Sequence, residues 1–186
     1  MRLWYIISDI HGNYQAFRNL LLYAQLIDDS NQWIGGEARL LLLGDYVTSG
    51  PNSKQVIDLI RSLEYQAPDQ VIALLGNHEL LLLRAIHDKH HRQGWLANPE
   101  HWQTIASWAD ENEELGNSLQ RLQIEPLSTQ TIAEIYQAAA KSDPNSDLLI
   151  PHATQRWRFN HPHFTSDCWN AWHLFVHTIE ADGTLE

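Results

Sequence analysis

The chain has 186 residues, 44% of them hydrophobic and 19% charged, enough to bury one sizeable core within a single domain. Twelve basic residues stand against 23 acidic ones, a formal net charge of −11, which argues against a nucleic-acid polymer as partner because that contact needs clustered Lys and Arg. The single cysteine, Cys168, cannot form an internal disulfide, no stretch approaches the roughly 18 apolar residues of a membrane span, and Met1–Tyr5 reaches Ser8-Asp9 too soon for a signal-peptide apolar region. The expectation is a cytoplasmic protein with no membrane partner.

In chain order, Leu3–Ile7, Leu40–Leu43 and Val71–Leu75 are short apolar runs of the kind expected for strands buried on both faces. Helical spacing fills the intervals. Ala16, Leu20, Tyr23 and Ile27 mark one helical face, and Val56, Ile57, Ile60 and Leu63 mark another, with a loop at Asp28–Asn31 and Gly35-Gly36 between. The result is a repeated βαβ unit and a mainly parallel sheet. Residues 80–141 read as a helical insertion or cap within one domain spanning 1–186: an apolar helix over Leu80–Asp88, a stretch bearing Trp95, Trp102 and Trp108, an acidic solvated patch at Glu111–Glu114, and a helical run over Thr129–Lys141. Two further apolar runs, Leu148–Ile150 and Leu174–Val176, read as strands.

Three polar motifs fall at the carboxyl ends of the first three strands: "SDIHGN" at 8–13, "GDYVTSGPNS" at 44–53 and "GNHE" at 76–79. Ligands bind at this edge of an open parallel sheet. Asp9 and Asp45 are 36 residues apart, and Asp45 and Asn77 are 32, each enough for one crossover of roughly 30 residues, so the motifs should converge. Taken singly, each motif is also an ordinary turn, since Asp, Gly and Asn are turn formers. Together they bring Asp9, His11, Asp45 and Asn77 to one place, an oxygen and imidazole donor set suited to Mn, Fe or Zn. Two metals are favoured over one, because a carboxylate such as Asp45 can bridge, and a metal pair can hold both the attacking and leaving oxygens of a phosphoryl centre. Water activated there provides a nucleophile without Ser or Cys. His78, beside Asn77, is placed to protonate the leaving oxygen or to steady the charge there.

These motifs, in this order and spacing, resemble the calcineurin-like metallophosphoesterases, most closely the phosphoprotein phosphatase branch with its bacterial relatives, the symmetrical diadenosine tetraphosphatases. The resemblance covers residues 3 to about 85. It implies a four-layer α/β/β/α sandwich, with Asp9 and His11 on a first metal, Asp45 bridging, Asn77 on the second metal and His78 near the leaving group. The family commonly carries Asp-Arg where this chain has Thr48-Ser49, the Asp orienting the histidine and the Arg holding phosphate; a second phosphate-binding Arg is replaced by Leu75. Arg84, Arg156 and Arg158 are the candidate substitutes.

The resemblance also implies two further histidine ligands at strand ends. "LFVHT" at 174–178 makes His177 the first candidate. On that register the last histidine is missing, and the sandwich is incomplete at the C-terminus. In a second register His152 takes the earlier position and His177 the later; His161 and His163 are a reserve. His87, His90 and His91 read as a solvated helix face. The implied activity is phosphoprotein phosphatase-like hydrolysis of phosphate esters with two divalent ions, Mn ahead of Fe or Zn. Expected substrates are phosphoproteins, dinucleoside polyphosphates or small phosphate esters. The alternative is a truncated, catalytically weak or inactive member serving as a binding or regulatory module.

Overall fold

The computed structural model describes residues 3–98, 100–122 and 166–184. Three strands, β1 (Trp4–Ile7), β2 (Arg39–Leu42) and β3 (Val71–Ala73), form one parallel sheet in the order β1-β2-β3. Helices α1 (Tyr14–Tyr23) and α2 (Ser53–Gln66) make the crossovers. This is the expected βαβ repeat, with β1 and β3 one and two residues shorter than their apolar runs and β2 beginning and ending one residue earlier than its own.

The register places Tyr5, Ile7, Leu40, Leu42, Val71 and Ala73 on one sheet face, where Leu40, Leu42 and Val71 are buried with α2 residues Val56, Leu59, Ile60 and Leu63. Burial on both faces is not observed among the described residues. Trp4 and Ile6, on the opposite face, are exposed, and Arg39 lays its guanidinium over the Trp4 ring. That opposite face is where the second sheet of an α/β/β/α sandwich would pack, and no second sheet occurs among the described residues. The inward face of α1 also differs from the sequence expectation. Phe17 and Leu21 are buried, whereas Leu20 and Tyr23 are exposed. The stripe is shifted by one position, because Phe17, Leu21 and the half-buried Ala24 recur at the same 4- and 3-residue spacing as Ala16, Leu20 and Tyr23.

Beyond β3 the elements among the described residues are helical: α3 (Asn77–His87), α4 (Lys89–Leu96), α5 (His101–Ala106), a 3-10 turn at Ala109–Glu111, α6 (Glu113–Arg121) and α7 (Ser166–Ala181). Trp95, Trp102 and Trp108 are all buried. The expected strand at Leu174–Val176 is instead part of α7. Cys168, Ala171, Trp172, Phe175 and Ile179 are its buried residues, the 3- and 4-residue spacing of a helical stripe. Trp172 meets Trp95 edge-on, and Phe175 meets Trp108. The Trp108 indole N–H donates to Asp182 Oδ2 at 2.8 Å, tying the end of α7 to the tryptophan cluster. The expected elements at 129–141 and 148–150, and His152, Arg156, Arg158, His161 and His163, lie outside the described residues.

Candidate metal centre

The three motifs meet at the carboxyl ends of the strands because their backbones interlock. Asp45 O accepts the N–H groups of Ile10 (2.9 Å) and His11 (2.8 Å), Tyr46 O accepts Gly12 N–H (2.7 Å), and His11 O accepts Gly50 N–H (2.9 Å). Gly12 and Gly50 face each other so closely that a Cβ on Gly12 would lie 2.7 Å from Gly50 O. Gly44 and Gly76 do the same between the second and third motifs: a Cβ on Gly44 would strike the Gly76 backbone, and one on Gly76 would strike the Asp45 carboxylate. Only glycine permits this approach.

Glu79 supplies the centre of the arrangement. Its buried carboxylate accepts four backbone N–H groups, with Oε1 taking Tyr46 (2.7 Å) and Val47 (3.2 Å) and Oε2 taking Asp45 (2.7 Å) and Gly76 (2.9 Å). One side chain in the first turn of α3 thus holds the loop carrying Asp45 against the start of the helix that carries Asn77 and His78. Sequence reasoning missed this role. The available signal was a glutamate three residues after Gly76 at a helix start, the spacing at which a carboxylate reaches back to the N-cap N–H. Below it, the Tyr46 hydroxyl donates to Leu74 O at 2.6 Å; burial, reinforced by the Glu79 charge, pushes this phenol above its ordinary value.

On this frame one donor atom from each of His11, Asp45 and His78 lies within 4.8 Å of the others. His11 Nδ1 lies 3.2 Å from Val47 O; a carbonyl only accepts, so Nδ1 carries the proton and Nε2 keeps its lone pair. Asp9 Oδ2 is 3.8 Å from that Nε2, close to the span across one ion with bonds of about 2.0–2.2 Å. Asp45 Oδ1 accepts His78 N–H at 3.0 Å, and Asn77 opens α3 with its side chain exposed. The set fits a divalent metal: hard oxygen and imidazole donors, with one imidazole held in the ligating tautomer by a backbone carbonyl.

The loop between Asp45 and Gly50 is strained. Asp45, Thr48 and Ser49 all have positive φ, at 58°, 74° and 61°, and for a β-branched residue such as Thr48 this is uncommon. Side chains from and beside α5 hold it there. Thr104 Oγ1 accepts Thr48 N–H (2.9 Å), Glu100 Oε2 accepts the Ser49 hydroxyl (3.0 Å), and Ser107 Oγ accepts Lys54 N–H (3.1 Å). Residues 100, 104 and 107 fall at one-turn intervals, so one helical face grips the second motif. Thr48 Oγ1 in turn lies 2.8 Å from His78 Nδ1. His101, buried beside His78, donates from Nδ1 to Trp95 O at 2.7 Å and stacks on Trp95. Burial holds its pKa below the ordinary value.

The family pattern described as calcineurin-like phosphoesterase matches residues 4–181. The chain belongs to that family. Members use divalent metals, in keeping with the donor group at the strand ends. Over 79 residues the chain is 38% identical to the zinc-dependent endopolyphosphatase of Saccharomyces cerevisiae, a match covering 42% of this chain and 21% of the relative. Over 83 residues it is 39% identical to a symmetrical bis(5'-nucleosyl)-tetraphosphatase of Buchnera aphidicola, covering 45% of this chain and 26% of the relative. A cold-active protein-tyrosine phosphatase of a psychrophilic Shewanella superposes over 87% of this chain and 66% of its own, at 17% identity and a TM-score of 0.39. The chain matches only about a fifth to a quarter of the length of the two named relatives.

Of the residues expected in the site, the described structure brings His11, Asp45 and His78 together, with Asp9 beside His11. His177 does not join them. It lies on α7 with its side chain 79% exposed, and its ring faces Glu180 one turn on, at 3.6 Å; the strand end that was to carry it is a helix. Arg84 is exposed on α3, as is Leu75 just before it. His87, His90 and His91 are exposed, as expected, with His91 paired to Asp88 at 2.8 Å.

Proposed function

We propose that this chain is a metal-dependent hydrolase of phosphate esters, acting by in-line attack of water on phosphorus. The observation that carries the reading is the convergence of His11, Asp45 and His78 at the carboxyl ends of three parallel strands, with Asp9 alongside. Asp9 and His11 would hold one ion, Asp45 would bridge to a second, and Asn77 would complete the protein's share of that second site. Two divalent ions are proposed, Mn first, with Fe or Zn as alternatives. When bound, such ions supply Lewis-acid polarisation and water acidified toward neutral pH. His177 is left out of the set because it faces Glu180 from an exposed helix position.

The chain's own residues do the rest. Asp45 is held at its carboxylate by His78 N–H and at its backbone by Glu79, so the bridging position is fixed before any ion arrives. His78 presents its Nε2–H to the leaving oxygen and steadies the charge that develops there. The helices after β3 flank the site and shape access to it. Phosphoproteins, dinucleoside polyphosphates and small phosphate esters are the substrate candidates; two relatives bear names that refer to polyphosphate and to dinucleoside tetraphosphate. No helix among the described residues is long and apolar enough to cross a membrane, and a single buried cysteine suits the cytoplasmic setting we propose.

The test is hydrolysis of an aryl phosphate and an aryl phosphodiester, with and without Mn, by the wild type and Asp45→Asn. Mn-dependent turnover that disappears in the variant supports the proposal. Equal, negligible rates in folded samples of both proteins favour the binding-module alternative.

A further inference from the structure

We infer that Thr48 is a positioning residue whose hydroxyl donates to His78 Nδ1 and so fixes the His78 ring with its proton on Nε2. The inference deepens the proposed hydrolase reading, since it rests on His78 Nε2–H as the hydrogen-bond donor that steadies charge on the leaving oxygen. Thr48 is fully buried, and its Oγ1 stands between two imidazoles, 2.8 Å from His78 Nδ1 and 3.4 Å from His11 Nδ1. The direction of each bond can be assigned in turn. His11 Nδ1 must carry a proton, because its nearer partner is the Val47 carbonyl at 3.2 Å. On the His11 side, Oγ1 therefore meets an N–H and can only accept. Its own proton is left for His78 Nδ1, which accepts it. A neutral imidazole that accepts at Nδ1 carries its hydrogen at Nε2.

This is the reverse of what a carboxylate at position 48 would do. A carboxylate only accepts, so it would hold the neutral ring as the Nδ1–H tautomer. The hydroxyl selects the opposite tautomer, with the proton already on the nitrogen not engaged by Thr48. The strained backbone of Thr48 serves this placement. Its φ of 74° is kept by Thr104, whose hydroxyl oxygen accepts Thr48 N–H, so α5 reaches His78 through two threonines. The rings of His11 and His78 meet edge-to-face at 4.7 Å, leaving little room for His78 to turn over.

The first readout needs no metal and no turnover. Long-range proton–nitrogen NMR correlation on the metal-free full chain, recorded at mildly alkaline pH, should show His78 as the Nε2–H tautomer. Its Nδ1 resonance should move in Thr48→Val and return in Thr48→Ser. An Nδ1–H tautomer in the wild type, or an Nδ1 resonance unmoved in Thr48→Val, overturns the inference. The second readout is leaving-group dependence with Mn. Thr48→Val should lower kcat on phenyl phosphate by about tenfold or more with KM little changed, and on p-nitrophenyl phosphate by less than about threefold, because only the poorer leaving group depends on the donor to steady its charge. Thr48→Ser should restore both. Equal losses on the two esters would mark a structural role and overturn the inference. Wild-type protein that shows the Nε2–H tautomer but hydrolyses neither ester would refute the hydrolase reading and support the Thr48 bond.

Discussion

Glu79→Gln tests whether one buried carboxylate assembles the site. In the wild type, Oε1 and Oε2 each accept two backbone N–H groups, from Tyr46 and Val47 and from Asp45 and Gly76. A glutamine in the same place keeps one accepting oxygen and turns an NH2 group toward the other two N–H donors. Two buried N–H groups then lose their acceptor, each at about 1–3 kcal/mol, and two charge-assisted bonds become neutral ones, so the expected destabilisation is about 2–6 kcal/mol. Urea unfolding of metal-free protein measures it directly, with the midpoint falling at unchanged slope. Metal affinity should fall as well, because Asp45 sits on the loop that Glu79 ties to the start of α3, where His78 lies. A Glu79→Gln protein within about 0.5 kcal/mol of the wild type, the range of an ordinary surface substitution, would refute the reasoning.

Gly76→Ala places a methyl group on the Asp45 carboxylate and backbone; overpacking of about 1–3 kcal/mol is expected, with weakened Mn binding, read by thermal unfolding and calorimetric titration. Burial keeps the His101 pKa below 6.5, so as pH falls through 6.5 the unfolded chain takes up a proton that the folded chain does not. Stability should therefore drop between pH 8 and pH 5, and His101→Phe should flatten that slope in urea midpoints measured across the range. Thr104→Val removes the acceptor for Thr48 N–H and should destabilise the chain by about 1–3 kcal/mol in urea unfolding.

The sheet and the meeting of His11, Asp45 and His78 at its edge were legible because they depend on local signals: apolar runs of strand length, each ending in a polar, glycine-bearing motif one crossover apart. Other features depend on context that a short window lacks. The α1 face was displaced by one residue because Leu20 and Leu21 are equally apolar, and only packing against the sheet chooses between them. Leu174–Val176 looked like a strand when taken alone; the wider run from Cys168 to Ile179 has the helical period, and Trp95 on α4 and Trp108 in the turn after α5 complete its contacts. Glu79 escaped notice because its partners are backbone N–H groups that composition cannot display. Thr48 and Ser49 read as losses relative to the family pattern. In the structure Thr48 lies hydrogen-bonded to His78 and Ser49 to Glu100, contacts that only the folding of α5 onto the second motif creates.

The most direct test of the metal centre is calorimetric titration of Mn into metal-free wild type and Asp45→Asn. The account predicts saturable binding of two ions per chain in the wild type, reduced to one weakly held ion or none when the bridging carboxylate becomes an amide. Folded wild-type protein that takes up no Mn, Fe or Zn, or an Asp45→Asn variant that binds as the wild type does, would contradict it.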